Sequence, residues 1–225
     1  MHLGEYVSGG VATYLQTLIN EQIADSKIDK IYLLMSKHKS QKLVFDSDKV
    51  VVVPYSYRRS PRGVFKLLLL WRRIVAWHAD VVHLHSSFAG LMRVRYLLAR
   101  PSLRKRIKII YCAHGWAFAR SVSNWKRRMY AFLERSLAFQ QVQIINISQS
   151  EQNIGLANGL NPRQMTVIDN AITYTPSNAV KTAHQGKHFM FVGRFDRQKG
   201  LIVLIQAAKL VGPGIHFTVV GAPVL

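Results

Sequence analysis

Two basic side chains stand where an apolar run gives way to glycine, in Phe191-Val192-Gly193-Arg194-Phe195-Asp196-Arg197-Gln198-Lys199-Gly200. A strand that turns into a helix gathers backbone N–H groups and the positive end of the helix dipole at one point. Arg194 and Lys199 beside such a point would favour phosphate. Two solvated loop cations would leave the same trace, so the pattern raises anion binding without naming the anion. Gly9-Gly10 precedes apolar residues at 11, 15, 18 and 19, a helical spacing. The pair either lets a ligand approach the backbone closely or makes a tight turn.

Histidines recur at the ends of apolar runs. His114 follows 108–113 and His85 ends 80–85; ligands collect at the carboxyl ends of strands in open α/β sheets. His83, two residues before His85, shares its face. One of that pair could meet a substrate, or both could be structural, and Ser86 and Ser87 carry a weaker version of the same signal. Asn170, in Asp169-Asn170, suits a cleft hydrogen bond and a turn equally. Glu151 follows Ser148 by three positions, the spacing of a helix capping box. Cys112, the one cysteine, lies in an apolar run and reads as a buried thiol. No metal site is expected: the nine histidines show no clustering with carboxylates at ligand spacing, and no Asp-x-Asp closes an apolar strand. A phosphate-binding P-loop and a serine nucleophile elbow are both absent.

These residues need strands and helices in alternation to position them. Short apolar runs at 31–35, 49–54, 80–85, 108–113, 143–147 and 166–168 predict strands, with helices over 11–19, 63–78, 89–99, 125–139 and from 150 to Gly159. Pro101 is expected to break the helix at 89–99. The pattern predicts a parallel sheet with helices on both faces over 1–174. A polar, breaker-rich stretch at 175–186 predicts a linker. A second unit follows over 187–225: a strand at 188–192, a helix at 200–210 and a strand at 216–220.

Four segments in this order resemble glycosyltransferase family 4: Ser8-Gly9-Gly10-Val11-Ala12, Asp80-Val81-Val82-His83-Leu84-His85-Ser86-Ser87, Ala113-His114-Gly115-Trp116, and the stretch from Phe191 to Gly200. Val167-Ile168-Asp169-Asn170-Ala171-Ile172 is similar to the family's segment before the interdomain crossing. The resemblance implies two facing Rossmann-like domains (the GT-B fold), the first present and the second begun. It implies retaining transfer of a sugar from a nucleoside diphosphate sugar to a surface polysaccharide or lipid-linked saccharide, as in polysaccharide or lipopolysaccharide biosynthesis. By that resemblance Arg194 and Lys199 bind the donor diphosphate, Gly9 and Gly10 lie across the cleft from them, and His114 contacts the transferred sugar. His85, Ser86 and Asn170 fall on the acceptor side, and no metal or other cofactor is required. The family's acidic donor-gripping element lies downstream and its first strand begins earlier, so the chain is read as truncated and expected to transfer little sugar alone.

With 225 residues, 49% of them hydrophobic, the chain has the composition of a globular protein. Its charge is unusual: 31 Lys and Arg against 11 Asp and Glu. Between Arg58 and Arg135 there are 18 basic residues and two acidic ones, Asp80 and Glu134. The predicted helix at 63–78 mixes leucines, two tryptophans and arginines, which suits an anionic membrane surface or a core face with a solvated rim. A peripheral place on the cytoplasmic face of the membrane follows as an expectation. The alternatives are an inactive glycosyltransferase-like protein, or a basic module for membrane or nucleic acid; no nucleic-acid-binding signature supports the last.

Overall fold

The computed structural model describes residues 1–139, 141–172, 186–212 and 214–223. They belong to two compact units, Met1–Thr173 and Tyr174–Leu225. The expected linker at 175–186 lies outside the described residues except for Gly186.

The first unit is a seven-stranded parallel sheet. Its strands are β1 (His2–Gly4), β2 (Ile31–Ser36), β3 (Val50–Tyr55), β4 (Val81–His85), β5 (Lys108–Cys112), β6 (Val142–Asn146) and β7 (Met165–Val167). Their order is β3-β2-β1-β4-β5-β6-β7, the parallel α/β arrangement that the alternating pattern predicts. Side chains alternate across the sheet: Leu33 packs in one apolar cluster with Val7, Leu15 and Ile19, while Leu34 packs in the other with Leu3, Leu84 and Tyr111. Both faces are therefore buried, which is why β2 reads as an unbroken apolar run. β2 and β3 lie to one side of β1 and β4 opens the other, so the β1/β4 pair is the switch point of the sheet.

Helices α1 (Gly10–Ala24), α2 (Pro61–Leu69), α3 (Trp71–Ala76), α4 (Met92–Leu97), α5 (Pro101–Arg106), α6 (Asn124–Leu137) and α7 (Gln149–Ala157) connect the strands. Two expectations need correction. The helix predicted over 63–78 is two helices joined at Leu70. Five consecutive apolar residues from Leu67 to Trp71 cannot share one face of a straight helix. The join brings Leu67, Leu70, Trp71 and Ile74 to the core and leaves Leu69 at the surface. Pro101 does not merely end a helix; it occupies the first turn of α5, where its missing N–H costs nothing.

The second unit pairs β8 (Lys187–Val192) with β9 (Ile215–Val220) in parallel, joined through α8 (Leu201–Ala208). This is the strand–helix–strand unit predicted.

Candidate functional site

At the switch point the loop after β1 enters α1 through Gly9, whose φ of 56° and ψ of −132° only glycine adopts without strain. A side-chain carbon built on Gly9 or on Gly10 would meet nothing within 4 Å, so the space before both is open. From the neighbouring strand, Ser86 turns the chain at φ 95°. Its hydroxyl accepts from the Ala89 N–H at 3.2 Å and donates to Glu5 Oε2 at 3.4 Å. Glu5 is itself buried and paired with Arg59.

Beneath α1 the same strand ends carry a row of imidazoles. His2 on β1 stands opposite His83 on β4, and His85 lies two residues along on the same face. His2 Nδ1 lies 3.1 Å from His85 Nε2, and His85 Nδ1 lies 3.1 Å from His114 Nε2. The Tyr14 ring of α1 meets His114 edge-on at 4.8 Å. His2, His83 and His85 are 3%, 5% and 0% exposed. Burial holds the His114 imidazole down at about 4 and that of His2 at about 3, the latter helped by the chain's amino terminus. Burial first, and neighbouring imidazoles second, hold His83 and His85 well below the usual value. All four are neutral at pH 7.

His114 has a left-handed backbone, φ 51°, followed by Gly115 at φ 101°. Glu151 fixes this turn. Its carboxylate accepts from the Gly115 N–H at 2.6 Å and from the Ile147 N–H at 2.8 Å, and its carbonyl accepts from Trp116 Nε1 at 2.8 Å. The Ser148 side chain does cap α7 by accepting from the Glu151 N–H. The Glu151 side chain, expected to complete that box at the Ser148 N–H, accepts with one oxygen from the Ile147 N–H one residue earlier and with the other reaches the loop after β5, 36 residues away.

The structure thus brings His85, Ser86, His114 and Gly9-Gly10 to the ends of β1, β4, β5 and the start of α1. Asn170 does not join them: it follows the edge strand β7, is exposed, and makes no side-chain hydrogen bond among the described residues. His2 and His83 each place a ring nitrogen within 4.8 Å of His85; spacing alone paired His83 with His85, and His2 joins them only through the sheet. Three buried imidazoles with ring nitrogens this close could hold a metal ion. The facing His2 and His85 nitrogens, 3.1 Å apart, lie at hydrogen-bond distance, a spacing that a shared proton and a shared ion both satisfy. Beside the site, at the ends of β2 and β3, a cavity of about 620 Å³ is lined by Tyr6, Lys37, His38, Lys39, Arg58 and Arg59.

In the second unit Arg194 and Lys199 lie on the turn after β8. Asp196 organises it: one oxygen accepts from the Lys199 N–H at 2.9 Å and the other pairs with Arg194 at 3.2 Å. Gly200, at φ 71°, then starts α8. Both cations are exposed.

The sequence profile of Glycosyltransferase Family 4 matches residues 8–175. An uncharacterized 41.2 kDa protein in the cps region of Klebsiella pneumoniae is 29% identical over 236 residues, covering 98% of this chain and 63% of that protein. The fold is similar to that of Anabaena HepE, solved with UDP and glucose, at a TM-score of 0.63 and 16% identity, over 100% of this chain and 61% of HepE. It is also similar to sucrose-phosphate synthase from Thermosynechococcus elongatus, at a TM-score of 0.72 and 13% identity, over 97% of this chain and 61% of that one. The chain therefore spans somewhat under two thirds of the length of these relatives.

Proposed function

We propose a function from one premise, that the chain belongs to glycosyltransferase family 4: it serves retaining transfer of a sugar from a nucleoside diphosphate to a surface polysaccharide or lipid-linked saccharide. The observation that carries this reading is the meeting of Gly9-Gly10, His85 and His114 at the sheet's switch point. Departure of a nucleoside diphosphate builds negative charge, and fixed cations aimed at it lower the barrier. Arg194 and Lys199 supply that charge on the turn after β8, and this is the role assigned to them without a metal ion or other cofactor. His114 meets the transferred sugar, with Gly9 and Gly10 leaving room for substrate. HepE was solved with UDP and glucose, which supports a nucleotide-sugar donor here.

The acceptor is read as anionic. Five of the six residues lining the cavity at the ends of β2 and β3 are Lys, Arg or His, and none of them carries a carboxylate. The phosphate of a lipid-linked saccharide suits it. Such an acceptor places the enzyme at the inner face of a membrane. Among the described residues no helix is long and apolar enough to cross one, so a peripheral position is assigned.

The test is calorimetric titration of the chain with UDP, GDP, ADP and dTDP and their sugar conjugates. One nucleotide should bind saturably, and Arg194→Ala should weaken it by roughly 10- to 150-fold, the loss of a hydrogen-bonded charge pair of about 1.5–3 kcal/mol. Lys199→Ala should act similarly and the double change less than additively, since both serve one diphosphate. Binding indifferent to both substitutions would remove this assignment.

A further inference from the structure

Three hydrogen bonds run in series beneath α1. Gln22 Oε1 lies 2.7 Å from His2 Nε2, His2 Nδ1 lies 3.1 Å from His85 Nε2, and His85 Nδ1 lies 3.1 Å from His114 Nε2. A neutral imidazole has one donor and one acceptor nitrogen. The Gln22 carbonyl oxygen can only accept, so His2 donates to it through Nε2. His2 Nδ1 must then accept, and His85 must donate through Nε2. His85 Nδ1 accepts in turn, and His114 donates through Nε2. Each proton dictates the next, and the lone pair of the last ring is left on His114 Nδ1, which has no hydrogen bond among the described residues.

We propose that Gln22, His2 and His85 form a tautomeric relay that fixes His114 as a hydrogen-bond acceptor through Nδ1, aimed at a hydroxyl group of the sugar. Gln22, His2 and His85 are positioning residues: they act on the ligand only through His114. The hydroxyl part rests on the role given to His114 above, whereas the relay does not. Two further observations support it. His2 and His85 are buried, which keeps them uncharged and strengthens each link in a low-dielectric setting. Tyr14 packs against both His85 and His114 and limits their rotation.

The test reads ring protons directly, by long-range proton–nitrogen correlation spectra of the 225-residue chain labelled with nitrogen-15 histidine at pH 7. His2, His85 and His114 should each show the Nε2–H form. Gln22→Leu removes the terminal acceptor from a half-buried helix position and should move the His114 nitrogens toward the average of both forms. In a His85→Gln background the same change should no longer reach His114; if that variant does not fold, Gln22→Leu alone carries the test. A His114 ring in the Nδ1–H form, or one unmoved by Gln22→Leu, would overturn the relay. So would added Zn²⁺ displacing the ring protons of His2 and His85, because the pair would then ligate rather than donate. Titration with the nucleotide sugar that binds should shift His114 Nδ1. A relay that passes the first tests with His114 unmoved by any nucleotide sugar would remove the role of His114 as sugar contact and leave the relay standing.

Discussion

Gly9 and Gly10 look alike in the sequence and differ in what each permits. At Gly9 any side chain would be strained by the backbone, at a cost of about 1–3 kcal/mol. Gly10 has ordinary helical geometry with open space before it, so Gly10→Ala should leave the thermal midpoint unchanged or raise it slightly. If that space receives substrate, the same variant binds the nucleotide sugar more weakly. An unchanged affinity together with an unchanged midpoint would make Gly10 a turn residue only. The imidazoles give a second prediction. Those of His2 and His114 are held at about 3 and about 4, below the ordinary value of 6.5. On acidification the unfolded chain takes up protons first, so this part of the stability is complete above pH 6.5 and is lost as the pH falls toward 4. The groups facing these rings are the amino terminus, Gln22, Tyr14, His83, His85 and Cys112, and none adds a carboxylate that would reverse the sign. Thermal melts should show a midpoint falling steadily from pH 7 to pH 4.5; a flat profile would contradict the burial of neutral imidazoles. His85 and His114 were legible because they end apolar runs. His2 and Gln22 were not: the partner of His2 lies 83 residues away and meets it only through the β1/β4 pairing.

Between elements, one buried network ties the basic half of the first unit together. Arg93 of α4 reaches Glu134 of α6 at 2.6 Å, the Tyr111 hydroxyl of β5 donates to the same carboxylate at 2.9 Å, and the Arg93 guanidinium lies 3.8 Å from the Tyr111 ring centre. Removing one partner strands a buried charge. Glu134→Ala should cost about 3–5 kcal/mol by urea unfolding, while Glu134→Ala combined with Arg93→Leu should recover part of it. A loss below about 1 kcal/mol, the worth of a surface pair, would show that the network is solvated. In the sequence Glu134 is only a rare acid in a basic stretch; helical periodicity puts it on the face of Ala131 and Leu137, and nothing local supplies the arginine. The alternation of strands and helices survived into the structure because it follows from runs of apolar residues. The join at Leu70 and the start of α5 at Pro101 did not, because they depend on which side chains the core can accept.

Over the whole molecule the basic excess gathers between Arg58 and Arg135, and its apolar companions differ from those the sequence suggests. Trp71 is buried and Trp77 stacks on Tyr32, so neither is free to enter a membrane. Exposed aromatic side chains lie instead on α6, where Trp125 and Phe132 are 63% and 59% exposed and the Lys126 ammonium lies 5.6 Å from the Trp125 ring centre, and on α2, where Phe65 and Leu69 are exposed. Co-sedimentation should therefore show binding to anionic vesicles over neutral ones, weakening with salt as the screening length shrinks from about 10 Å at 0.1 M. Trp125→Ser with Phe132→Ser should reduce it, and equal binding to both vesicle types would remove the membrane assignment. The central claim is that Arg194 serves the diphosphate of a sugar donor and His114 its sugar. The most direct measurement compares the affinity of the free nucleoside diphosphate with that of its sugar conjugate in three proteins: the unaltered chain, Arg194→Ala and His114→Ala. Arg194→Ala should weaken both ligands alike, and His114→Ala should abolish only the difference between them. A His114→Ala chain that still distinguishes the two ligands as the unaltered chain does would contradict the account.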